Sequence, residues 1–160
     1  MRQTVLISIS ASLYVALGFI FQAISFGPVQ VRIADALYPS IAVLGMPWLL
    51  GTFLGQLIFN GYGYATGLAL GPLDLLSPFI FLIPKYAIKR FGLKAVPLHV
   101  LFIAVWIGLL LHKLFGLPTI LAAATVGGGE AISEIALGVP VALALRKWGA
   151  SLAEQARSKT

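Results

Sequence analysis

Residues 118–145 read PTILAAATVGGGEAISEIALGVPVALAL, and Glu130 and Glu134 are the only charged side chains in this stretch. At a rise of about 1.5 Å per residue, a helix of this length crosses a hydrocarbon core roughly 30 Å thick. In the whole chain, 59% of the residues are hydrophobic and 10% are charged, whereas a soluble domain carries about 25% charged residues. The sequence therefore predicts an integral membrane protein, with this stretch as its last membrane helix.

Five further helices are predicted upstream, which makes an all-α protein with six transmembrane helices. Breaks fall at Gly27–Pro28, Gly45–Pro47 and Gly116–Pro118, because proline suits a first helical turn and breaks a helix interior. The predicted helices cover residues 4–26, 33–44, 47–60, 72–90, 95–111 and 118–145, and a glycine-rich interfacial loop covers 61–71. The helices form one transmembrane domain, residues 1–147, followed by a charged cytoplasmic tail, residues 148–160.

Basic residues lie mainly at one end of the predicted helices, and this bias sets the orientation, since cytoplasmic loops are enriched in lysine and arginine. With six spans, one side holds nine basic residues, namely Arg2, Lys85, Lys89, Arg90, Lys94, Arg146, Lys147, Arg157 and Lys159. The opposite side holds Arg32 and Lys113. Both termini of this multi-pass protein are therefore expected in the cytoplasm, with the loops at 27–36, 60–71 and 112–118 facing outward.

Acidic residues inside the apolar segments are candidates for a functional site, because an intramembrane carboxylate is costly unless it is paired, hydrated or protonated. Glu130 and Glu134 are four residues apart, which places both on one helix face. Glu130 follows Pro118 by 12 residues, about 18 Å into the helix and near the middle of the membrane. The glycines at 127–129 leave room for another helix or a ligand to approach. Both glutamates are predicted to bind substrate, the alternative being structural carboxyls bonded to a neighbouring helix or protonated in the core.

Five further residues are candidates for substrate binding, and for most of them a purely structural role is also possible from the sequence. Gln30, Arg32 and Asp35 form a short polar stretch, in which the arginine and the aspartate either bind a ligand or form a surface ion pair. Asp74 lies in a first helical turn, where the helix dipole favours a carboxylate, so it either binds a ligand or caps the helix. Asn60, at the outer end of the third helix, is likewise either a binding residue or a cap.

Ser8, Ser12 and Ala16 form a ridge of small residues at four-residue spacing on the first helix, which permits close packing of another helix in lipid. The pattern leaves open whether that partner lies within the fold or in another subunit. His99 and His112 are isolated, without a second residue at the spacing of metal ligands. No metal site is predicted.

Motifs of several enzyme classes are absent from the sequence. Without G-x-x-x-x-G-K-[ST], the chain does not cradle nucleotide phosphates in that way, so any ATP-driven step needs another subunit. There is no nucleophile-base or zinc-protease motif, and the lack of cysteine excludes thiolate metal sites. The basic residues cluster at helix ends and not in a patch, so nucleic acid is not an expected partner. The chain is predicted to be no enzyme and to need no cofactor of its own.

The stretch QVRIADAL at residues 30–37 resembles the Q-F-R-[IV]-S-E-A-L signature of the QueT family, the substrate-binding S components of energy-coupling factor (ECF) transporters. Further matches follow in order along the chain: Leu13-Tyr14, Asn60, Gly71-Pro72-Leu73-Asp74, Gly129-Glu130-Ala131-Ile132, and Leu137-Gly138-Val139-Pro140 with Ala144-Leu145. The chain departs from the family pattern in three places: Ala34 and Asp35 replace Ser-Glu, and Glu134 stands where a small or apolar residue is expected.

This resemblance implies an ECF S-component-like bundle of six helices in a prokaryotic cell membrane, with an outward-facing site capped by loops. It implies a queuosine precursor, a 7-deazaguanine base, as the small-molecule substrate. The implied partners are a transmembrane coupling protein, docked on the ridge of Ser8, Ser12 and Ala16, and two ATPase subunits, which use the ATP.

A 7-deazaguanine base presents an N–H and an amino group side by side, which one carboxylate accepts together. Glu130 is predicted to do this, a second carboxylate would hold an aminomethyl cation, and Phe26, Tyr62 or Tyr64 would stack on the base. Two alternatives remain open. One is an S component for another vitamin-like solute, and the other is a proton-coupled secondary transporter that uses Glu130 and Glu134 as its relay.

Overall fold

The computed structural model describes residues 2–26 and 30–157, within which every regular element is helical. The α-helices are α1 (Arg2–Ile20), α2 (Gln22–Ser25), α3 (Ile41–Leu44), α4 (Met46–Ala65), α5 (Ser77–Ile80), α6 (Leu82–Phe91), α7 (Val96–Phe115), α8 (Thr119–Glu130) and α9 (Val139–Arg157). Short 3-10 helices cover Ile33–Ser40, Pro72–Leu76 and Gly92–Ala95, and a π-helix covers Ala131–Gly138. The predicted stop at Gly27–Pro28 and residues 158–160 of the predicted tail lie outside the described residues.

Glycines in the left-handed backbone region separate several of these elements. Gly45 has a φ of 73° and ends α3, and Pro47 lies in the first turn of α4, where proline is tolerated. The predicted break between the second and third helices is therefore confirmed. Gly92, with a φ of 72°, ends α6 in the same way and separates it from α7.

Three stretches of the described chain are long and apolar enough to cross a membrane, namely Gln3–Ile20, Pro72–Phe115 and Thr119–Ser151. Because Gly92 divides the second stretch into two helical parts, the three stretches contain four of the six predicted spans. The other two predicted spans correspond to the apolar Ile33–Leu44 and to α4, which is 20 residues long. The prediction of an all-helical membrane protein is confirmed, while the count of six spans is not.

Two helices extend beyond their predicted ends. α4 continues to Ala65, through the first half of the predicted loop, because Gly63 allows the ring of Phe26 to pack against the helix; a Cβ at Gly63 would lie 2.6 Å from Phe26 Cζ. α9 continues to Arg157, so the predicted tail is helical over most of its length. Its alanine, leucine, glutamate, glutamine and arginine residues are all good helix formers.

The close packing of α1 against α4 depends on small residues. A Cβ at Gly51 would collide with Ser10 Oγ, and a Cβ at Gly55 would lie 2.6 Å from Tyr14 Cβ. Gly18 makes the reciprocal contact, where a Cβ would lie 2.8 Å from the Phe59 ring. Backbones that approach so closely gain dispersion contacts that lipid cannot replace.

The outer surface of the bundle is apolar and its interior contains polar groups. Large hydrophobic side chains are well exposed, as at Ile20 (72%), Ile83 (72%) and Ile120 (86%), as expected of positions that face lipid. The fully or almost fully buried polar side chains include Gln30, Arg32, Asp35, Gln56, Asn60, Asp74, Lys85, His99, Glu130 and Glu134. Since buried polar groups are costly unless they are hydrogen-bonded, this interior cluster marks the region where function is to be sought.

Replacing Gly55 by alanine should destabilise the protein, because the added Cβ would lie 2.6 Å from Tyr14 Cβ and 2.8 Å from the carbonyl oxygen of Ala11. We expect a loss of about 1–3 kcal/mol of unfolding free energy, as is typical of overpacking. Gly61→Ala is the matched control, since it lies in the same helix with no atom within 4 Å of the added Cβ. Thermal unfolding in detergent measures both; equal unfolding temperatures for the two variants would contradict this packing.

Candidate functional site

The segment that follows residue 29 lies directly against the last helical region. A Cβ at Gly129 would collide with the carbonyl oxygen of Gln30, and a Cβ at Gly138 would lie 2.6 Å from the carbonyl oxygen of Ala36. The predicted close approach at residues 127–129 is thus confirmed at Gly129. At Gly128, in contrast, an added Cβ would meet no atom within 4 Å.

Arg32, Asn60 and Asp74 are joined by hydrogen bonds that link three separate elements. Arg32 Nη1 donates to Asn60 Oδ1 over 3.3 Å, and Asn60 Nδ2 donates to the carbonyl oxygen of Asp74 over 3.1 Å and to its Oδ1 over 3.4 Å. Ser77 Oγ donates to the same Asp74 Oδ1 over 3.0 Å, and Trp106 Nε1 donates to Ser77 Oγ over 2.9 Å. The chain of bonds fixes the positions of both Asn60 and Asp74.

Asp35 is held by two tyrosines that face the interior. Tyr14 OH donates to Asp35 Oδ1 over 2.5 Å, and Tyr38 OH donates to Tyr14 OH over 3.0 Å. The two rings are stacked, with their centroids 5.7 Å apart. Helix α1 and the 3-10 helix Ile33–Ser40 therefore meet at the Asp35 carboxyl group, and α8 lies against the start of the same segment where Gly129 contacts the carbonyl oxygen of Gln30.

Glu134 and Lys85 have different neighbours, on the other side of Tyr38. His99 Nδ1 and Glu134 Oε1 are 2.7 Å apart, and both side chains are fully buried. Lys85 Nζ donates to Gln56 Oε1 over 2.6 Å and lies 4.0 Å from the centroid of the Tyr38 ring. The same ring packs edge-on against His99, with centroids 5.0 Å apart.

The π-helix between α8 and α9 begins immediately after Glu130 and contains Glu134. Its i→i+5 hydrogen bonds make each turn wider than an α-helical turn, and such segments occur frequently at functional sites. Both glutamates are directed inward, with exposed fractions of 2% and 0%. The burial of both side chains agrees with the prediction that they lie on one helix face, although the helix that begins after Glu130 is of a different type.

Several polar atoms of this cluster are buried without a hydrogen-bond partner in the described part of the chain. Those on the candidate residues and their neighbours are Gln30 Nε2, Arg32 Nε, Gln56 Nε2, Asp74 Oδ2, His99 Nε2, Glu130 Oε2 and Glu134 Oε2. Each such atom costs about 1–3 kcal/mol when it is left unpaired, and native proteins contain only a few. Donors and acceptors are both present in the set, so the cluster has the chemistry to hold a polar molecule.

The structural alternatives for Arg32, Asp35 and Asn60 are not what the structure shows, whereas Asp74 does lie in the first turn of the 3-10 helix Pro72–Leu76. Arg32 and Asp35 are 4% and 1% exposed, so they form no surface ion pair. Asp74 Oδ1 accepts hydrogen bonds from the side chains of Asn60 and Ser77. Asn60 lies inside α4 and not at its end; its amide oxygen accepts from Arg32 and its amide nitrogen donates to Asp74. These hydrogen bonds form because the side chains are buried together, and the spacing of residues in the sequence does not reveal which side chains are buried.

The sequence places Lys85 among the cytoplasmic helix ends, and this prediction is wrong, because the side chain is fully buried in α6. The sequence gives His99 no partner at the spacing of metal ligands, but its imidazole contacts the carboxyl group of Glu134. The sequence carries only a weak signal for Lys85, which precedes the basic cluster at Lys89 by one helical turn. Nothing in the sequence pairs His99 with a residue 35 positions away.

The ridge of Ser8, Ser12 and Ala16 lies on the exposed face of α1. The opposite face of the same helix, which carries Ser10 and Tyr14, makes the contact with α4. The internal packing of α1 therefore does not use the ridge. Among the described residues, no group of three or more histidine, cysteine, aspartate or glutamate side chains is arranged to hold a metal ion.

Buried polar and ionisable residues inside an apolar helical shell are typical of membrane proteins that transport solutes or ions. A comparison with known protein families matches residues 4–147 to the family described as QueT transporter. The chain belongs to the QueT transporter family. No curated protein and no solved structure shows significant similarity to it.

Replacing Tyr14 by phenylalanine should destabilise the protein by about 1.5–3 kcal/mol, because Asp35 loses a bond to its carboxyl group and Tyr38 loses its acceptor. Tyr38→Phe is the matched control, since it keeps the ring beneath Lys85 and the Tyr14–Asp35 bond, and should cost about 0.5–1.5 kcal/mol. Thermal unfolding of both variants in the same detergent compares the two. A larger loss in Tyr38→Phe than in Tyr14→Phe would show that Asp35 is not held in this way.

Proposed function

We propose that this transporter-family protein is the membrane-embedded, substrate-binding subunit of an ATP-driven ECF-type importer for a queuosine precursor, a 7-deazaguanine base. The observation that supports it best is the group of buried, unpartnered polar atoms around Glu130, Asp74 and Arg32. Arg32 and Asp74 are linked through Asn60 of α4, and Gly129, next to Glu130, lies against the carbonyl oxygen of Gln30. A guanine-like molecule offers both donors and acceptors to satisfy the unpartnered atoms.

Glu130 is the residue we assign to the base edge. Its Oε2 is buried and unpartnered, and an ionised carboxylate accepts two parallel N–H bonds from an N–H and an adjacent amino group. Asp35, Asp74, Asn60, Gln30 and Arg32 would surround the rest of the base in this proposal. Phe26, whose ring centroid is 5.7 Å from Arg32 Cζ, is the aromatic residue best placed to stack on it. Tyr64 is exposed, and Tyr62 packs on Phe19, 4.7 Å between centroids.

We propose the orientation with both termini in the cytoplasm. Arg32 and Lys85 are buried and no longer count as residues at the helix ends. Eight basic residues then remain on the proposed cytoplasmic side (nine less Lys85) and one on the other (two less Arg32), so the bias that sets orientation becomes stronger.

The exposed ridge on α1 is proposed to dock on a transmembrane coupling protein, to which two ATPase subunits supply the energy of ATP. Small residues in lipid allow two helix backbones to approach closely, and the ridge is not used for packing inside the described chain. The chain itself has no G-x-x-x-x-G-K-[ST] motif, so in this proposal the other subunits bind the ATP.

Glu130→Gln should weaken binding of a 7-deazaguanine base by about 2–4 kcal/mol, because one charge-assisted bond is weakened and the new amide donor faces a ligand donor. This corresponds to about 30- to 1000-fold in Kd. Ser133→Ala is the matched control, since its hydroxyl bonds only to the Gly129 carbonyl of its own helical region, over 3.1 Å. Calorimetric titration gives both affinities after thermal melts confirm folding; an unchanged Kd in folded Glu130→Gln would move the site away from the last helical region.

Ala16→Leu should block assembly with the coupling protein and leave substrate binding intact, because a bulky side chain keeps two helices apart. Ala144→Leu serves as the control, since Ala144 is an exposed alanine on α9, away from the ridge. Co-purification of the tagged variants with the coupling protein and both ATPase subunits measures assembly. Normal complex formation by Ala16→Leu would show that the ridge is not the docking surface.

A further inference from the structure

A cavity of about 590 Å³ opens at the end of the bundle where α6 joins α7. Its lining comes from Ala42 and Val43 of α3, from residues 91–94 at that junction, and from Arg146 of α9. The short helix α3 packs against both the 3-10 helix Gly92–Ala95 and α9, so segments distant in sequence surround the cavity. None of its lining residues belongs to the buried polar cluster, so the cavity is separate from the candidate solute site.

The cavity is positively charged, because Lys94 and Arg146 both line it and both side chains are exposed. Within the described part of the chain, neither side chain forms a hydrogen bond or an ion pair. Three more basic residues lie within five positions of them in the sequence, namely Lys89, Arg90 and Lys147. The acidic side chains that the structure describes are all buried in the interior, so none of them neutralises this charge. The cavity is therefore suited to an anion.

The surroundings of the cavity are those of a membrane–water interface. Phe91, which lines it, is 66% exposed, and Trp148, two residues after Arg146, is 65% exposed. Exposed tryptophan beside basic residues is typical of the level of the lipid headgroups. Val43 and Leu93 add an apolar part to the lining. The cavity thus offers two cations to a phosphate group and an apolar wall to the hydrocarbon next to it.

We propose that this cavity binds an anionic membrane lipid, whose phosphate group lies between Lys94 and Arg146. In the proposed orientation the cavity faces the cytoplasmic leaflet, whose surface potential is negative. Basic pockets between transmembrane helices on that side are known to bind lipid headgroups. The bound lipid would connect α3, the junction of α6 with α7, and α9. This site goes beyond the proposed function, and it does not depend on which solute the protein binds.

The test compares two lipids with the same acyl chains, dioleoyl phosphatidylglycerol, which is anionic, and dioleoyl phosphatidylcholine, which is zwitterionic. Native mass spectrometry of the purified protein in detergent counts the bound lipids and gives their Kd. We expect one phosphatidylglycerol per protein, bound about 10- to 100-fold more tightly than phosphatidylcholine, the range given by two basic residues. Equal Kd values would overturn the proposal. Displacement of the lipid by millimolar inorganic phosphate would also overturn it and assign the cavity to the free ion.

Two double variants distinguish this cavity from a general attraction to the basic end of the bundle. Lys94→Gln with Arg146→Gln should weaken binding of phosphatidylglycerol by about 10- to 100-fold, because both phosphate partners are lost. Lys89→Gln with Lys147→Gln is the matched control, since it removes two exposed charges nearby that do not line the cavity. It should change the Kd by less than about 3-fold.

The four substituted side chains are exposed, so lipid-free thermal unfolding in detergent should give the same temperature for both variants as for the wild type. An equal loss of lipid binding in the two double variants would show diffuse attraction and contradict the proposed site. Unchanged binding in Lys94→Gln with Arg146→Gln would place the lipid elsewhere and contradict it as well.

Discussion

The contact between the carbonyl oxygen of Gln30 and Gly129 is the constraint on which the interior depends. Any side chain at residue 129 would collide with this oxygen, so only glycine lets the segment after residue 29 lie against the last helical region. That position brings Arg32 within reach of Asn60 and Asp35 within reach of Tyr14. Without this close approach, the polar residues of the segment and the two glutamates would not share one buried cluster.

The apolar shell and the polar interior are two consequences of one physical requirement. Lipid offers no hydrogen bonds, so polar groups within the bundle must find partners there or remain unpaired at a cost. Most of them do find partners, through Asn60, Tyr14, Ser77 and Gln56. α1 illustrates the arrangement, because Tyr14 faces inward to Asp35 while Ser12 and Ala16 face outward.

Much of the fold could be predicted from apolar length and from helix breakers, and the break at Gly45 is the clearest example. The helix boundaries were harder to predict, because the end of α4 depends on Phe26 packing against Gly63, a contact between residues distant in sequence. Intramembrane acids are rare enough to point to the site by themselves, which is why Glu130 could be singled out. Lys85 could not be singled out, because the sequence near a helix end does not show whether a lysine side chain points into the bundle or towards water. The contact of His99 with Glu134 depends on tertiary packing alone.

The central claim is that the buried, unpartnered polar atoms form the binding site of a guanine-like solute. A ligand that pairs with them should stabilise the folded protein, by about 2.7 kcal/mol at a concentration of about 100 times Kd. The most direct test is the thermal unfolding of the purified protein over a concentration series of 7-aminomethyl-7-deazaguanine. We expect an unfolding temperature that rises with the logarithm of concentration in the wild type and much less in Glu130→Gln. An unfolding temperature of the wild type that does not change at any concentration would contradict the account.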